Sequence, residues 1–218
     1  MATAEQKRGI RLTVFVVVLV IGLIVALTVY NTLSSRAPTL SADELQEKGV
    51  LLLQTPRQFS GVSLIDESGE PFTEEELQGR WSILFFGFTH CPDICPMTMA
   101  DMNRLVEGLS EEERERLQIV LVTVDPERDT PEQLRQYVHY FNPEFSGVTG
   151  DPNMIYRFAT ELGIAYNKVE QGDSYTMDHT SSLVLINPRG HFHGYIRPPF
   201  DPADLRLAWR SMDRSFSD

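Results

Sequence analysis

The chain has 218 residues, of which 42% are hydrophobic, and a formal net charge of −12. This length allows one well-buried domain plus an appendage. The acidic balance argues against nucleic acid and anionic lipid headgroups as partners, because both repel negative charge.

The N-terminal segment predicts a membrane anchor. Residues 12–30 form a run of 19 residues without a charge, close to the length that crosses the ~30 Å hydrocarbon core of a bilayer. Three basic residues precede the run, which by the positive-inside tendency keeps residues 1–11 in the cytoplasm. A cleavable signal peptide is the alternative, but its apolar region is usually about 7–15 residues long and no small-x-small site follows here. We therefore expect a single transmembrane anchor over 12–33, as in a bacterial inner-membrane protein whose main domain is periplasmic.

The segment after the anchor is polar and strongly acidic. Residues 34–218 carry 16 basic and 30 acidic side chains, a formal balance of −14. Residues 34–54 are predicted to be a tether, and 55–218 a single folded domain. The stretch "FSGVSLIDESGEPFT" indicates a β-hairpin near the start of that domain, with Gly69 in its turn.

Strand and helix signals then alternate along the domain. The apolar runs 81–88 and 117–125 are typical of buried strands, and 182–196 reads as two strands joined by a turn. Helix starts are indicated by Thr130-Pro131, Asp151-Pro152 and Asp201-Pro202. This order predicts an α/β fold in which helices cover both faces of the sheet.

Both cysteines of the chain, Cys91 and Cys95, lie in "GFTHCPDICP", between a buried strand and a probable helix start. Thiols four apart on a helical turn have Cβ atoms ~5–6 Å apart, whereas a disulfide needs ~3.5–4.5 Å. Two thiolates can bind one metal at ~2.3 Å each with less distortion, and a helix N-terminus favours the thiolate form. The spacing therefore favours a metal, while a structural disulfide and a redox pair stay open as alternatives. The methionines of the following helix, Met99 and Met102, are predicted to be core residues.

A metal site would need a third ligand, and the candidates are five histidines. His139 is expected on a helix surface, and His191 and His193 on an exposed hairpin. His90 adjoins the cysteines but is expected to point away from them. His179 precedes a buried strand and can face the thiols, although spacing alone does not decide this.

Four separated motifs carry a resemblance to a known family. "GFTHCPDICP", "DPERDTPEQLRQYV", "TGD" and "DHTSSLVLINPRG" occur in the order found in the Sco/SenC family, and the resemblance covers about residues 55–215. It implies a thioredoxin-like mixed α/β sheet flanked by helices and preceded by one transmembrane helix. Members of this family are membrane-anchored copper chaperones for cytochrome c oxidase assembly.

The resemblance also implies a set of site residues. The metal ligands fall on Cys91, Cys95 and His179, a set that suits copper as Cu(I) and can also hold Cu(II). Asp178 looks like a residue behind the ligands that orients or tunes His179. Asp125, in the "VDPE" motif, is expected to serve the turn and not to contact copper.

Three functions follow as expectations. The first is a copper metallochaperone, not an enzyme in the strict sense, that receives copper from an extracytoplasmic donor and delivers it to the dinuclear copper site of oxidase subunit II. The second is a thiol–disulfide reductase in which Cys91 and Cys95 are the redox pair and keep the subunit II cysteines reduced. The third, a thiol peroxidase, rests only on the threonine of "FTHC".

Overall fold

The computed structural model describes residues 4–34 and 39–217, which fall into two compact units that divide between Thr39 and Leu40. The helices are α1 (Ala4–Ser34), α2 (Ala42–Glu47), α3 (Ile94–Glu107), α4 (Glu111–Glu115), α5 (Pro131–Phe141), α6 (Pro152–Glu161) and α7 (Pro202–Ser217), with a 3-10 helix at Glu74–Leu77. The strands are β1 (Val50–Arg57), β2 (Leu64–Asp66), β3 (Pro71–Phe72), β4 (Trp81–Gly87), β5 (Leu117–Thr123), β6 (Ser146–Thr149), β7 (Tyr166–Gln171), β8 (Ser174–His179), β9 (Leu183–Ile186) and β10 (Phe192–Ile196).

Helix α1 contains the apolar run that the sequence predicts as an anchor. Its segment Thr13–Tyr30 has a mean hydropathy of 2.8, and none of it is buried against the protein. By length and composition this helix can cross a bilayer, although a signal sequence has the same properties. The helical state of the run is thus confirmed.

The second unit begins earlier than the predicted domain boundary at residue 55. Ser41 and Glu44 form a capping box at the start of α2, whose Leu45 is buried. Strand β1 then pairs antiparallel with β10, with Val50 opposite Ile196. Residues 40–54, assigned to a tether on their polarity, are therefore folded, because apolar side chains within the segment gain burial against the sheet.

The central sheet has eight strands in the order β1-β10-β9-β4-β5-β6-β2-β3. Strands β4, β5 and β6 run parallel and are connected by helices, whereas β9 pairs antiparallel with β4 on its other side and β10 pairs antiparallel with β9. Every residue of β4, β5 and β9 is buried, as expected for strands that are covered on both faces. The predicted α/β class, with a mixed sheet flanked by helices, is confirmed.

The register of β4 and β9 determines which segments meet at one edge of the sheet. Ser82 lies opposite Ile186 and Leu84 opposite Val184, so the end of β4 lies beside the chain that enters β9. Because β4 and β5 are parallel, the end of β5 lies at the same edge. The cysteine segment follows β4 at this edge, and residues 179–182 precede β9 there.

Strands β7 and β8 form a separate two-stranded hairpin that the sequence analysis did not predict. They pair with each other from Tyr166 opposite His179 to Gln171 opposite Ser174, and not with the large sheet. Gly172 takes a φ of 62° in the turn, a conformation that glycine adopts without strain. This hairpin carries His179 at its last position.

An ion pair between α4 and α7 predicts how the stability of this fold depends on acid. Arg210 binds Glu113 through two hydrogen bonds of 2.6 and 2.9 Å. This hydrogen bonding is the main reason that the pKa of Glu113 is lowered from 4.5 to about 2. A carboxylate with a depressed pKa stabilises the fold above its unfolded pKa, and this contribution disappears as the pH falls through the folded value. We expect Glu113→Gln to lower the free energy of unfolding by about 1 kcal/mol at pH 7.

Chemical denaturation of the mutant and the wild type between pH 7 and pH 2 tests this. The difference should shrink as the pH falls from 4.5 towards 2, the interval between the ordinary and the lowered pKa of Glu113. Glu115→Gln, an exposed position on the same helix, is the matched control and should leave stability unchanged. A difference that stays constant across this interval would contradict the assignment.

Candidate metal centre

The two cysteines lie at the junction between β4 and α3, but they do not share one helical turn. Helix α3 begins at Ile94, so Cys95 is in its first turn while Cys91 is in the preceding loop, where its N–H donates to the carbonyl of Phe88 at 3.3 Å. Both are free thiols. Cys95 is fully buried and Cys91 is half-buried, so the two sulfurs differ in access to solvent.

The protonation of Cys95 differs from the expectation that a helix N-terminus favours the thiolate. Burial raises the pKa of the Cys95 thiol far above its usual value, because apolar surroundings penalise the charged form. The nearby thiol of Cys91 and carboxylate of Asp129 raise it further. In this structure burial therefore outweighs the helix N-terminus, and Cys95 is a neutral thiol at pH 7.

His179 stands directly against Cys95. Its Nε2 is 3.7 Å from the Cys95 Sγ, while its Nδ1 lies 3.1 Å from the carbonyl oxygen of Thr180. A carbonyl oxygen only accepts hydrogen bonds, so Nδ1 carries the proton and the Nε2 lone pair faces the sulfur. Burial lowers the pKa of His179, and the rings of Phe85 and Phe88 meet the imidazole edge-on at 5.9 and 6.1 Å. The imidazole is thus neutral, which is the form that binds metals.

Cys91, Cys95 and His179, the ligands that the family resemblance implies, are not arranged as a complete metal site in this structure. Among the described residues, no three His, Cys, Asp or Glu side chains converge closely enough to hold an ion as they stand. Cys95 and His179 form one preassembled half of the site. The thiol of Cys91 lies beside that of Cys95, so a metal held by all three residues would require their side chains to draw closer together.

Of the two aspartates near the site, Asp178 is placed differently from the expectation and Asp125 is placed as expected. Asp178 is exposed and alternates with His179 along β8, so the two side chains lie on opposite faces of the strand. The Nδ1–H of His179 donates a hydrogen bond to the carbonyl of Thr180 and not to Asp178. The negative charge of Asp178 only raises the pKa of His179 through space. Asp125 is buried and its carbonyl accepts from Arg128 and Asp129, as expected of a turn residue.

The other four histidines have partners of their own. His90 lies 3.0 Å from the Thr89 hydroxyl, and His139 lies 3.7 Å from Glu67. The prediction that His191 and His193 lie on an exposed hairpin is wrong, because both are half-buried. Their hydrogen-bond partners, which sequence spacing does not reveal, are Gln58 for His191 at 3.2 Å and Asn187 for His193 at 3.0 Å.

Gly87 is a site residue that sequence reasoning missed. A Cβ added there would lie 2.8 Å from the ring of Phe85 and 3.1 Å from the Cys95 Sγ, closer than ordinary contacts allow. The glycine therefore leaves the space that the buried sulfur occupies. The sequence signal for it is modest: a glycine at the end of an otherwise large and apolar strand.

Comparison with known proteins places these residues in a family context. A family model described as SCO1/SenC matches residues 54–212. A protein of Stutzerimonas stutzeri named "Putative copper-binding protein" is 43% identical over 171 residues, which cover 77% of this chain and 84% of that protein. The mitochondrial SCO1 homolog 1 of Arabidopsis thaliana is 40% identical over 131 residues, but the match spans 60% of this chain and 39% of that relative.

Solved structures give the same picture for the fold. The crystal structure of Arabidopsis thaliana ScoI with copper bound has 34% identity and a TM-score of 0.66, covering 72% of this chain and 99% of that one. The copper-bound ScoI of Bradyrhizobium japonicum has 31% identity and a TM-score of 0.64 over the same shares. The sheet described above is thus thioredoxin-like.

The unequal burial of the two thiols predicts unequal reactivity. We expect Cys91 to be alkylated by iodoacetamide at least about tenfold faster than Cys95, because only the accessible thiolate reacts and each unit of raised pKa lowers the thiolate fraction tenfold. Cys95→Ser and Cys91→Ser isolate the two thiols for the rate measurement. Equal rates in the folded single-cysteine proteins would contradict the burial of Cys95, and denaturation should make the rates equal.

The close approach at Gly87 predicts a packing defect when a methyl group is added. Gly87→Ala should lower the free energy of unfolding by about 1–3 kcal/mol, the usual cost of overpacking, and speed the alkylation of Cys95 by displacing its sulfur. Gly108→Ala is the control, because the atoms nearest to an added Cβ there belong to the flexible side chain of Arg206. Unchanged stability and unchanged Cys95 reactivity in Gly87→Ala would show that the position tolerates a side chain.

Proposed function

The chain belongs to the SCO1/SenC family, and from that premise we propose that it is a membrane-anchored copper metallochaperone of cytochrome c oxidase assembly. It binds one copper ion through Cys91, Cys95 and His179 and delivers it to the dinuclear copper site of oxidase subunit II. The observation that carries this proposal is the contact of 3.7 Å between the Cys95 sulfur and the unprotonated nitrogen of His179. Relatives at 34% and 31% identity are solved with copper bound, which supports the choice of metal.

The chemistry of the three donors suits copper as cargo. Two thiolates and one imidazole are soft to intermediate ligands that stabilise Cu(I), and a similar set can hold Cu(II). Because Cys95 is protonated without metal, binding displaces its proton, so copper loading becomes more favourable as the pH rises. Three protein ligands leave a coordination position open, through which a ligand of the acceptor can attack before the original ligands leave.

The arrangement of the chain fits delivery outside the cytoplasm. In this proposal residues 1–11 are cytoplasmic, 12–33 cross the bacterial inner membrane once, and the domain with the cysteines lies in the periplasm. The α1 segment Thr13–Tyr30 is long and apolar enough for that anchor. The partners are an extracytoplasmic copper donor and the oxidase, and the acidic surface makes nucleic acid an unsuitable one.

A thiol–disulfide reductase is the second candidate, and the unequal exposure of the cysteines favours it. A half-buried Cys91 can attack a substrate disulfide as thiolate, and a buried Cys95 can then resolve the mixed disulfide. The substrate is reduced to two thiols while Cys91 and Cys95 are oxidised to a disulfide, so an external reductant must restore them. This activity would keep the copper-binding cysteines of subunit II reduced before loading.

Anaerobic titration of the reduced, metal-free protein with Cu(I) tests the proposed site. In competition with a chromogenic chelator, the wild type should bind one copper. Cys91→Ser, Cys95→Ser and His179→Ala should each weaken binding by more than about a hundredfold, since even residues behind the ligands contribute about 10–100-fold. His139→Ala is the matched control, because His139 lies on α5 with its imidazole 3.7 Å from Glu67, a partner outside the candidate site.

The result also separates the two candidate functions. Tight copper binding that His179→Ala leaves unchanged would refute the ligand assignment. Weak binding by the wild type, together with a Cys91–Cys95 couple more reducing than glutathione, would favour the reductase. A couple far more oxidising than the glutathione range would exclude the reductase instead.

A further inference from the structure

The hairpin of β7 and β8 is not part of the central sheet and is attached to the rest of the domain mainly by side-chain contacts. Its strands pair only with each other, and all but the first residue of β7 are exposed. At its base, Thr180 and Ala165 exchange hydrogen bonds of 2.9 and 3.1 Å beside His179. A two-stranded hairpin is marginal by itself, so its orientation depends on the contacts that tie it down.

Tyr175, near the tip, is hydrogen-bonded to the domain through both its hydroxyl and its carbonyl. Its hydroxyl donates to the Asp125 carboxylate at 2.8 Å, and its carbonyl accepts from Arg128 at 3.2 Å. Burial and the hydrogen bond to Asp125 raise the pKa of Tyr175 to about 12, so the phenol remains a donor at neutral pH. A hydrogen bond to a buried carboxylate is among the stronger ones in proteins.

Arg128 contacts the hairpin, the turn that contains Asp125, and the ring of Phe88 beside His179. Its Nε donates to Asp125, and its guanidinium lies 3.8 Å from the ring centre of Tyr175 and 5.9 Å from that of Phe88. Phe88 in turn meets the imidazole of His179 at 6.1 Å. The same cation therefore contacts both the hairpin tip and the ring against which the candidate ligand rests.

A second ion pair near the tip contributes little. Lys168 lies 3.0 Å from Glu127, but the side chains are 42% and 66% exposed. Exposed pairs of this kind are screened by solvent and are worth little. Asp125, by contrast, is 3% exposed, so its hydrogen bond to Tyr175 is less screened by solvent than the exposed ion pair.

The alternation of β8 connects the tip to the ligand. Tyr175, Met177 and His179 lie on one face of the strand, and Met177 packs against the core. If the hairpin moved away from the domain as a unit, all three side chains would move with it. His179 would then lose the 3.7 Å contact of its Nε2 with the Cys95 sulfur.

We propose that Asp125, Arg128 and Tyr175 form a clamp that holds the β7–β8 hairpin against the domain and so positions His179 for the copper site. The clamp residues are positioning residues, since they reach the metal only through His179. Release of the clamp lets the hairpin swing out, which removes the imidazole from the site while leaving both cysteines in place. The inference rests on the proposed copper site and adds to it the element that determines whether the third ligand is available.

Opening of the clamp lowers the copper affinity, because it reduces the fraction of molecules that are competent to bind. The apparent dissociation constant equals the intrinsic one divided by the fraction of molecules with His179 in place. Tyr175→Phe keeps the aromatic ring over which Arg128 lies but removes the hydroxyl that binds Asp125. We expect the substitution to weaken Cu(I) binding roughly tenfold, within the range that loss of one hydrogen bond to a charged group allows.

A double-mutant cycle with the full-length protein in detergent tests the clamp. Cu(I) affinity is measured by chelator competition for the wild type, Tyr175→Phe, His179→Ala and the double mutant, with unfolding free energies alongside. The clamp requires Tyr175→Phe to weaken binding in the wild-type background but to have no further effect once His179 is absent. Tyr195→Phe, which removes a hydroxyl bonded to the Leu162 carbonyl in another part of the sheet, should not change affinity in either background.

Hydrogen exchange of the metal-free protein supplies a readout that needs no copper. Amides of residues 166–179 should exchange faster in Tyr175→Phe than in the wild type or in Tyr195→Phe, with the central sheet unchanged. Unchanged affinity, or an equal loss of affinity with and without His179, overturns the clamp. If His179→Ala itself leaves Cu(I) binding intact, the proposed ligand set fails instead, so the two failures are distinguishable.

Discussion

The antiparallel pairing of β9 with β4 is the constraint on which the candidate site depends. It places the chain that enters β9 beside the end of β4, and so brings His179 to Cys95 across a separation of 84 residues. The parallel pairing of β4 with β5 adds Asp125 at the same edge. Since all three strands are fully buried, this arrangement is fixed by the core and not by the loops that carry the functional side chains.

Burial at this edge gives the site its chemical character. A helix N-terminus by itself would favour a thiolate, but the apolar surroundings of Cys95 keep the thiol protonated and those of His179 keep the imidazole neutral. The Cys95 thiol and the His179 imidazole are therefore both uncharged without a metal, and neither needs a counter-ion. In the proposed site, a bound copper cation would compensate for the thiolate that it creates, which offsets the cost of burying that charge.

Rigidity is distributed unequally around the site. Cys95 belongs to a helix that packs Met99, Met102 and Leu105 into the core, whereas His179 ends a hairpin outside the main sheet. The proposed copper chaperone must hold copper tightly and also release it, and a site with one fixed ligand and one on a movable hairpin would allow both. Hairpins with few buried contacts open at low free-energy cost, which makes β7–β8 the element suited to movement.

The sequence by itself determined the apolar N-terminal helix, the buried strands β4 and β5, the capped start of α5 and the importance of Cys91 and Cys95. These features are local, because hydrophobic period, capping residues and motif spacing are all visible within a few neighbours. Family resemblance, not spacing, selected His179. The β7–β8 hairpin was missed although Gly172-Asp173 is a typical turn signal, because its exposed strands lack an apolar pattern.

Only the tertiary structure decided what these residues contact. The neutral state of Cys95, the carbonyl partner of His179, the space left by Gly87 and the bond from Tyr175 to Asp125 all depend on segments distant in the chain. Each is a matter of distance and burial, which a one-dimensional pattern does not encode. The sequence names the residue types that can bind copper, and the sheet register determines which of them meet.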